Sequence, residues 1–176
     1  DRDKTGKAVW LMQGADDRPV KPWKGSSVAP VDVLFVGGIG YGRGSFIREL
    51  KRYSFNHIRS GCYDSYLEHN IRSAKIVVAP DTPVTDRYWS NRVYNMLKCQ
   101  AYLLHPYSSG LSAQYGTTIT MYQDREQLHH FIRQALLADR EYRDAEALIG
   151  HERTMRQHTY AHRCAQLVAT VKERLL

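Results

Sequence analysis

The sequence has few cysteines and no long apolar run. Cys62, Cys99 and Cys164 are odd in number and widely spaced, and they form no CxxC pair, so neither a disulfide framework nor a zinc cluster is predicted. A reducing, cytoplasmic location is therefore expected. No stretch approaches the roughly 18 consecutive apolar residues of a membrane span, and no charged-then-apolar leader opens the chain. We predict neither a membrane span nor a signal peptide.

Several familiar nucleotide-binding and catalytic motifs are also missing. The glycines of the stretch 37–44 do not spell GxGxxG, and no acidic residue ends the following strand, which disfavours an NAD site. The GK[ST] of a P-loop and the GxSxG of a nucleophile elbow are absent. Asp1-Arg2-Asp3 has a DxD pattern but no preceding strand to fix it, and His158 and His162 lack a nearby third ligand. We predict no metal site, and the catalytic residues stay unknown.

The composition is that of an ordinary globular chain with excess positive charge. Its 176 residues are 43% hydrophobic and 24% charged, which suffices for one domain with a core. Lys and Arg number 25 against 18 Asp and Glu, a net charge of +7. This balance favours anionic partners such as nucleotides, phosphates or nucleic acid. The stretch 40–75 is the more basic part, whereas 106–150 holds more acidic than basic residues.

Hydrophobic patterning predicts strands that alternate with helices. The stretch 31–36 is β-branched and apolar nearly throughout, as expected of a central strand buried on both faces. Further strands are predicted over 55–59, 75–79, 101–104 and 117–122, and helices over 45–53, 63–73, 124–138, 139–157 and 159–176, with one more helix before the fourth strand. This alternation predicts an α/β, Rossmann-like three-layer domain with a parallel sheet of about five strands and C-terminal helices.

The same pass along the chain suggests three parts. Residues 1–30 are mixed in composition and read as a linker or entry segment, residues 31–157 as the Rossmann-like domain, and residues 158–176 as a C-terminal helix. Asp124 and Gln127 have the spacing of a capping box at the start of one helix.

Two stretches have the character of an anion site. The glycines of 37–44 directly follow the best strand, where they let the backbone approach a ligand closely. Arg43 within them suits a phosphate, and a flexible turn with a solvated arginine is the alternative. Ser90 to Leu104 reads as a loop, a helix and a buried strand. Amides at such a helix N-terminus, with the helix dipole, favour a diphosphate.

Basic side chains also neighbour tyrosines, as at Arg52-Tyr53 and Arg87-Tyr88. Such pairs suit stacking on bases and gripping of phosphates in a nucleic-acid-binding protein. A mixture of surface and core residues is the alternative interpretation.

Several motifs, in order and spacing, resemble the C-terminal half of the GT-B glycosyltransferases, of the CgeB-like or "glycosyl transferases group 1" type. The resemblance covers nearly the whole chain. The segments that carry it are Leu11-Met12-Gln13-Gly14-Ala15-Asp16, Asp32-Val33-Leu34-Phe35-Val36-Gly37 with Arg43, Ala74-Lys75-Ile76-Val77-Val78, Asn91-Arg92-Val93-Tyr94-Asn95-Met96-Leu97, Ala101-Tyr102-Leu103-Leu104, Gly110-Leu111, Tyr122-Gln123-Asp124 and His158-Thr159-Tyr160-Ala161-His162-Arg163.

The resemblance implies a domain that binds a nucleotide-sugar, usually a UDP-sugar, as substrate and hands the sugar to an acceptor held by another domain. In such metal-independent sites, basic side chains and helix N-termini stabilise the leaving diphosphate, and no cofactor is required. The residues implied for the diphosphate are Gly38, Gly40, Arg43, Ser90, Asn91 and Arg92. Those implied for the ribose or nucleoside are Asn95 and Gly61.

The chain departs from this family pattern at two positions. Asn95 stands where the family has a Glu that bonds the ribose hydroxyls, and Gln100 stands where it has a turn glycine. An asparagine is shorter and uncharged, so weaker ribose binding or a different donor is expected.

A GT-B enzyme also needs an N-terminal acceptor-binding domain, and 176 residues cannot hold both halves. We therefore expect that the chain is a fragment, in keeping with the absence of an initiator Met at Asp1, or that a partner chain supplies the other half. Two other classes stay open: a non-catalytic nucleotide-binding or regulatory module, and a nucleic-acid-associated protein, including a transferase with DNA as the sugar acceptor.

Overall fold

The computed structural model describes residues 10–19, 22–40, 42–59, 64–81 and 83–175. In this part of the chain five parallel strands form one sheet in the order β2-β1-β3-β4-β5. The strands are β1 (Val31–Val36), β2 (Phe55–Ile58), β3 (Ala74–Val78), β4 (Leu103–Pro106) and β5 (Thr120–Tyr122). The helices are α1 (Arg43–Leu50), α2 (Asp64–Ser73), α3 (Arg92–Lys98), α4 (Ser109–Tyr115), α5 (Arg125–Leu137), α6 (Arg140–Gln157) and α7 (Tyr160–Leu175). The predicted α/β class with a parallel sheet is confirmed.

Helices cover both faces of the sheet. Successive side chains of a strand point to opposite faces, and the buried side chains of β1 are apolar on both. Leu34 and Val36 of β1 belong to a core that includes buried residues of α2, α3 and α4. Val33 and Phe35 belong to a second core, which α1 and α5 complete. Strand β1 is thus an interior strand buried between helices on both faces, as its apolar sequence predicts. None of the helices in the described ranges is long and apolar enough to cross a membrane.

The differences from the predicted elements have local causes. The fifth strand begins only at Thr120, because Gly116–Thr118 forms a 3₁₀ turn with Gly116 at a φ of 60°. Helix α4 is not predicted from the sequence; the Ser108 hydroxyl accepts a hydrogen bond from the Leu111 amide at its start. At α5 the predicted cap is present, since the Asp124 carboxylate accepts from the Gln127 amide at 2.8 Å.

The entry segment is joined to the start of α7. The Ala15 amide donates to the His158 carbonyl and the Tyr160 amide donates to the Ala15 carbonyl, both at 2.8 Å. A Cβ on Gly14 would lie 2.8 Å from the carbonyl carbon of Thr159, so glycine is needed for this close approach. The division into an entry segment, a domain and a C-terminal helix stays a prediction.

A buried chain of polar groups lies beside this junction. The Tyr94 hydroxyl donates to the Gln114 carbonyl oxygen at 3.1 Å, and the Gln114 amide nitrogen donates to Nδ1 of His158 at 2.6 Å. Arg163 also donates to His158 Nδ1, at 3.1 Å. Since two donors point at Nδ1, the ring proton belongs on Nε2, which is buried without a partner among the described residues.

This environment predicts acid-sensitive folding through His158. Burial, followed by the positive charge of Arg163, lowers the pKa of His158 from 6.5 to about 4. The unfolded chain takes up the proton first, so stability is full above about pH 6.5 and falls as the pH approaches 4. The loss is of the order of 3 kcal/mol. Urea unfolding from pH 7 to 4 measures this loss of stability.

His158→Asn, which keeps an acceptor near Nδ1, should flatten the dependence of stability on pH. His130→Asn on exposed α5 surface should not, and equal profiles for all three proteins would contradict the assignment.

The turn between α3 and β4 places Gln100 in the left-handed region, with a φ of 58°. This is the position where the resembling family has glycine, the residue that adopts such a conformation without strain. Gln100 is exposed and accepts one long hydrogen bond, from Arg72 at 3.4 Å. The turn therefore keeps a glycine-like backbone with a residue that is strained in it.

Gln100→Gly should stabilise the domain by about 1 kcal/mol or less, because relief of left-handed strain exceeds the added entropy of the unfolded chain. The matched control is Gln100→Ala, which removes the same side-chain contact but keeps the strain. Midpoints of urea unfolding compare the three proteins. A glycine variant no more stable than the alanine variant would show that the turn is not strained.

Candidate functional site

The sheet changes its winding direction between β1 and β3. From β1 the chain crosses to β2 on one side, whereas β3, β4 and β5 follow on the other side. In open α/β sheets the crevice outside the carboxyl ends of the strands at such a switch point is where ligands bind. Here Gly37 follows β1, and Ala79, Pro80 and Asp81 follow β3. This crevice is the candidate site.

The Asp81 carboxylate is the centre of the polar contacts in the crevice. Its Oδ2 accepts from the Ser90 amide and from Nε2 of His105, each at 3.1 Å, and its Oδ1 pairs with Nη2 of Arg92 at 3.2 Å. Its side chain is only 9% exposed. Burial raises the pKa of Asp81, but the His105 hydrogen bond, the Ser90 amide and the Arg92 charge together bring it below the ordinary value. Asp81 is therefore a buried carboxylate held in its charged form.

Arg92 uses all three of its guanidinium nitrogens on protein groups. Besides the Asp81 pair, its Nη1 donates to the Val36 carbonyl at 2.8 Å and its Nε to the Ser90 hydroxyl at 3.1 Å. Burial is the main cause that lowers the pKa of Arg92, and the charge of Arg43 adds to it while Asp81 opposes it. Arg92 thus ties the end of β1 to the loop before α3, and a second guanidinium lies close enough to repel it.

His105 completes the network from β4. It is 1% exposed, and its Nδ1 lies 2.7 Å from the Pro106 carbonyl oxygen while its Nε2 faces Asp81. Both ring nitrogens thus lie within hydrogen-bond distance of oxygen acceptors, and the ring is held between β4 and Asp81.

The glycine-rich loop forms the other side of the crevice. An added Cβ at Gly38 or Gly40 would meet nothing within 4 Å, so this backbone faces open space. Gly42 at the N-cap of α1 has a φ of 75°, which favours glycine. Arg43 donates one long hydrogen bond, to the Gly38 carbonyl at 3.4 Å, and its Nε is buried with no partner in the described part of the chain. The loop therefore offers a cationic side chain with an unused donor.

A groove of about 520 Å³ continues from this loop along the outer side of β2. It is lined by Ile39, Gly44, Ile47, Lys51, Phe55, His57 and Arg59. The His57 ring stacks on Phe35 with ring centroids 5.1 Å apart and donates to the Gly37 carbonyl at 2.7 Å. The groove thus combines an apolar floor with basic groups, in the size range of small-molecule sites.

The structure brings together some of the residues predicted for the site and not others. Ser90 and Arg92 meet at Asp81, and Arg43 reaches back over Gly38. Asn91 is exposed and Asn95 half-buried on the outer stripe of α3, and no hydrogen bond joins either side chain to the described part of the chain. The Gly40 carbonyl accepts a long hydrogen bond from the Arg43 amide at 3.4 Å, and Gly61 lies outside the described residues. Their roles toward diphosphate and ribose stay predictions.

Sequence reasoning missed Asp81 and His105, the two residues around which the network is arranged. His105 directly follows the predicted strand 101–104, and Asp81 is the second residue after the predicted strand 75–79. The carboxyl ends of parallel strands meet at one edge of a sheet. Polar residues at strand ends were thus an available signal. What the sequence does not contain is the neighbour relation of β3 and β4, which brings these two side chains within 3.1 Å.

Comparisons with known proteins identify the family. The model of the "Glycosyl transferase-like" family matches residues 34–169, which is most of the chain. The chain belongs to this glycosyl transferase-like family, of the group 1 type. The CgeB-like assignment stays a prediction. No curated protein matches the sequence.

One solved structure that resembles the fold is the crystal structure of AviGT4, a glycosyltransferase involved in avilamycin A biosynthesis. The sequence identity is 13% and the TM-score 0.47; the match covers 93% of this chain and 59% of that one. The chain thus spans about three fifths of the solved protein's length.

The close fit of Arg92 against Gly37 yields a stability prediction. Gly37 has a φ of 144°, and a Cβ there would collide with Nη1 of Arg92. Gly37→Ala should therefore displace Arg92 and lower the free energy of unfolding by about 1 to 3 kcal/mol. Gly38→Ala, at the next residue, has open space and should change it by about 0.5 kcal/mol or less. Urea unfolding compares the two, and equal losses would contradict the packing of Arg92 on Gly37.

Proposed function

We propose that this domain is the donor-binding half of a GT-B glycosyltransferase, which transfers a sugar from a nucleotide-sugar, foremost a UDP-sugar, without a metal ion. A further domain or a partner chain supplies the acceptor site. Membership of a glycosyl transferase-like family supports glycosyl transfer in general. The observation that carries the donor site is the unused, buried Nε of Arg43 beside the open glycine backbone at the switch point.

The diphosphate lies, in this proposal, between the glycine-rich loop and the start of α3. Arg43 donates from the loop, and the backbone at Gly38 and Gly40 has room for close approach. Arg92 adds positive charge at the start of α3, and the charge of Arg43 lowers its pKa. Two guanidiniums that repel each other become favourable when an anion lies between them. The leaving nucleoside diphosphate gains the same stabilisation as the glycosidic bond breaks.

The nucleoside part has two candidate neighbours. Asn95 on α3 is half-buried with an unbonded amide, which offers one donor group and one acceptor to a ribose hydroxyl. The groove along β2 begins at Ile39 and Gly44 of the same loop and has the apolar floor that a base needs. An amide in place of a carboxylate predicts a weaker grip on ribose than in the resembling enzymes.

The test is ligand binding by Arg43 variants. Thermal shift and calorimetry with UDP, UDP-sugars and GDP-sugars should show stabilisation of the wild-type domain. Arg43→Gln should weaken UDP binding about tenfold or more, because a charge-assisted hydrogen bond is lost. The matched control is Arg48→Gln, an exposed residue on the same helix, which should bind UDP like wild type. Equal affinities of the Arg43 variant and the wild type would refute the role of Arg43.

The other two classes give different results in the same assay. A regulatory module binds the nucleotide but supports no sugar transfer when the acceptor domain is supplied. A nucleic-acid-associated protein shows no stabilisation by any nucleotide, but a DNA affinity that falls steeply with salt. The latter outcome would sink the donor-binding proposal.

A further inference from the structure

We infer that Asp81 acts as an internal counter-anion of the crevice and sets how strongly the diphosphate is bound. The inference rests on the proposed function and concerns the affinity of that site for the diphosphate. The Asp81 carboxylate accepts hydrogen bonds from the Ser90 amide and the Arg92 guanidinium, and the family resemblance implies a diphosphate role for both residues. A side chain of the protein thus already stands where the ligand anion is expected to gain its charge-assisted hydrogen bonds.

The geometry is that of an anion site whose donors bind a carboxylate of the protein itself. Three donors from different places converge on one carboxylate: a backbone amide before α3, a guanidinium on α3 and an imidazole on β4, at 3.1 to 3.2 Å. Backbone amides and arginine side chains are also the groups that bind phosphate oxygens. The carboxylate is buried, so its charge acts in a medium of low polarity and is weakly screened.

The two arginines of the crevice therefore differ in how many of their donors already have partners in the protein. Arg92 is committed to Asp81, Val36 and Ser90, whereas Arg43 retains an unused donor. An incoming diphosphate is attracted by both cations and repelled by the Asp81 carboxylate. Removal of that single negative charge therefore tightens anion binding, and a purely structural Asp81 would have no such effect.

The experiment uses inorganic pyrophosphate and UDP as probes in isothermal titration. Asp81→Asn keeps the shape and an acceptor oxygen but removes the charge, and should bind pyrophosphate about tenfold more tightly at low ionic strength. The gain should shrink as salt is added, since it comes from charge. Asp86→Asn, on the same loop and without contact with Arg92, removes one charge as a control and should leave the affinity within about twofold of wild type.

An affinity of folded Asp81→Asn equal to or below that of wild type overturns the inference. If that variant fails to fold, the comparison moves to Arg92→Gln with and without Asp81→Asn. The double variant leaves no unpaired charge in the buried pair and should bind pyrophosphate more tightly than Arg92→Gln alone. Equal affinities would again overturn it.

Failure of the proposed function gives a different pattern. Suppose that UDP and the nucleotide-sugars bind neither the wild type nor Asp81→Asn, while Asp81→Asn binds pyrophosphate more tightly than the wild type. The donor-binding function is then wrong, and the role of Asp81 toward anions is retained. If UDP binds wild type through Arg43 and Asp81→Asn changes nothing, the function stands and the role of Asp81 is wrong.

Discussion

The ion pair of Asp81 and Arg92 fixes the carboxyl edge of the sheet where its winding reverses. Arg92 reaches from α3 to the Val36 carbonyl at the end of β1, and Asp81 holds the backbone before α3 and the imidazole of β4. Three neighbouring strands are thereby joined at one point. Buried ion pairs are costly to desolvate and contribute little net stability. The pair therefore adds little to stability by its charges alone, and its position at the carboxyl edge of the sheet supports the proposed role toward anions.

The glycine-rich loop owes its shape to what packs on either side of it. Gly37 has to lack a side chain because Arg92 fills that space, while Gly38 and Gly40 leave open space in front of the backbone. The first glycine makes room for the guanidinium of the ion pair, and the backbone of the later ones faces open space. Two needs that look alike in sequence, as a run of alternating glycines, are thus separate in the structure.

The fold was largely predictable, because its signals are local. The apolar run of β1 and the Asp124 cap of α5 both depend on residues a few positions apart, and both are present. Helix α4 was missed, although Ser108 caps it, because its apolar residues are few. The site was predictable only in part. Arg92 was predicted through a family motif. Its partner Asp81 could not be paired with it from the sequence, because their contact depends on β3 lying between β1 and β4 in the sheet.

The charges of the crevice side chains bear on the proposed donor site. Arg43 and Arg92 contribute two positive charges and Asp81 one negative, whereas the diphosphate of a nucleotide-sugar carries two negative charges. In the proposed site these three side chains leave the diphosphate charge undercompensated, so a site without a metal ion needs further cations. Lys51 and Arg59 line the adjoining groove along β2, so the groove supplies cations that the crevice lacks.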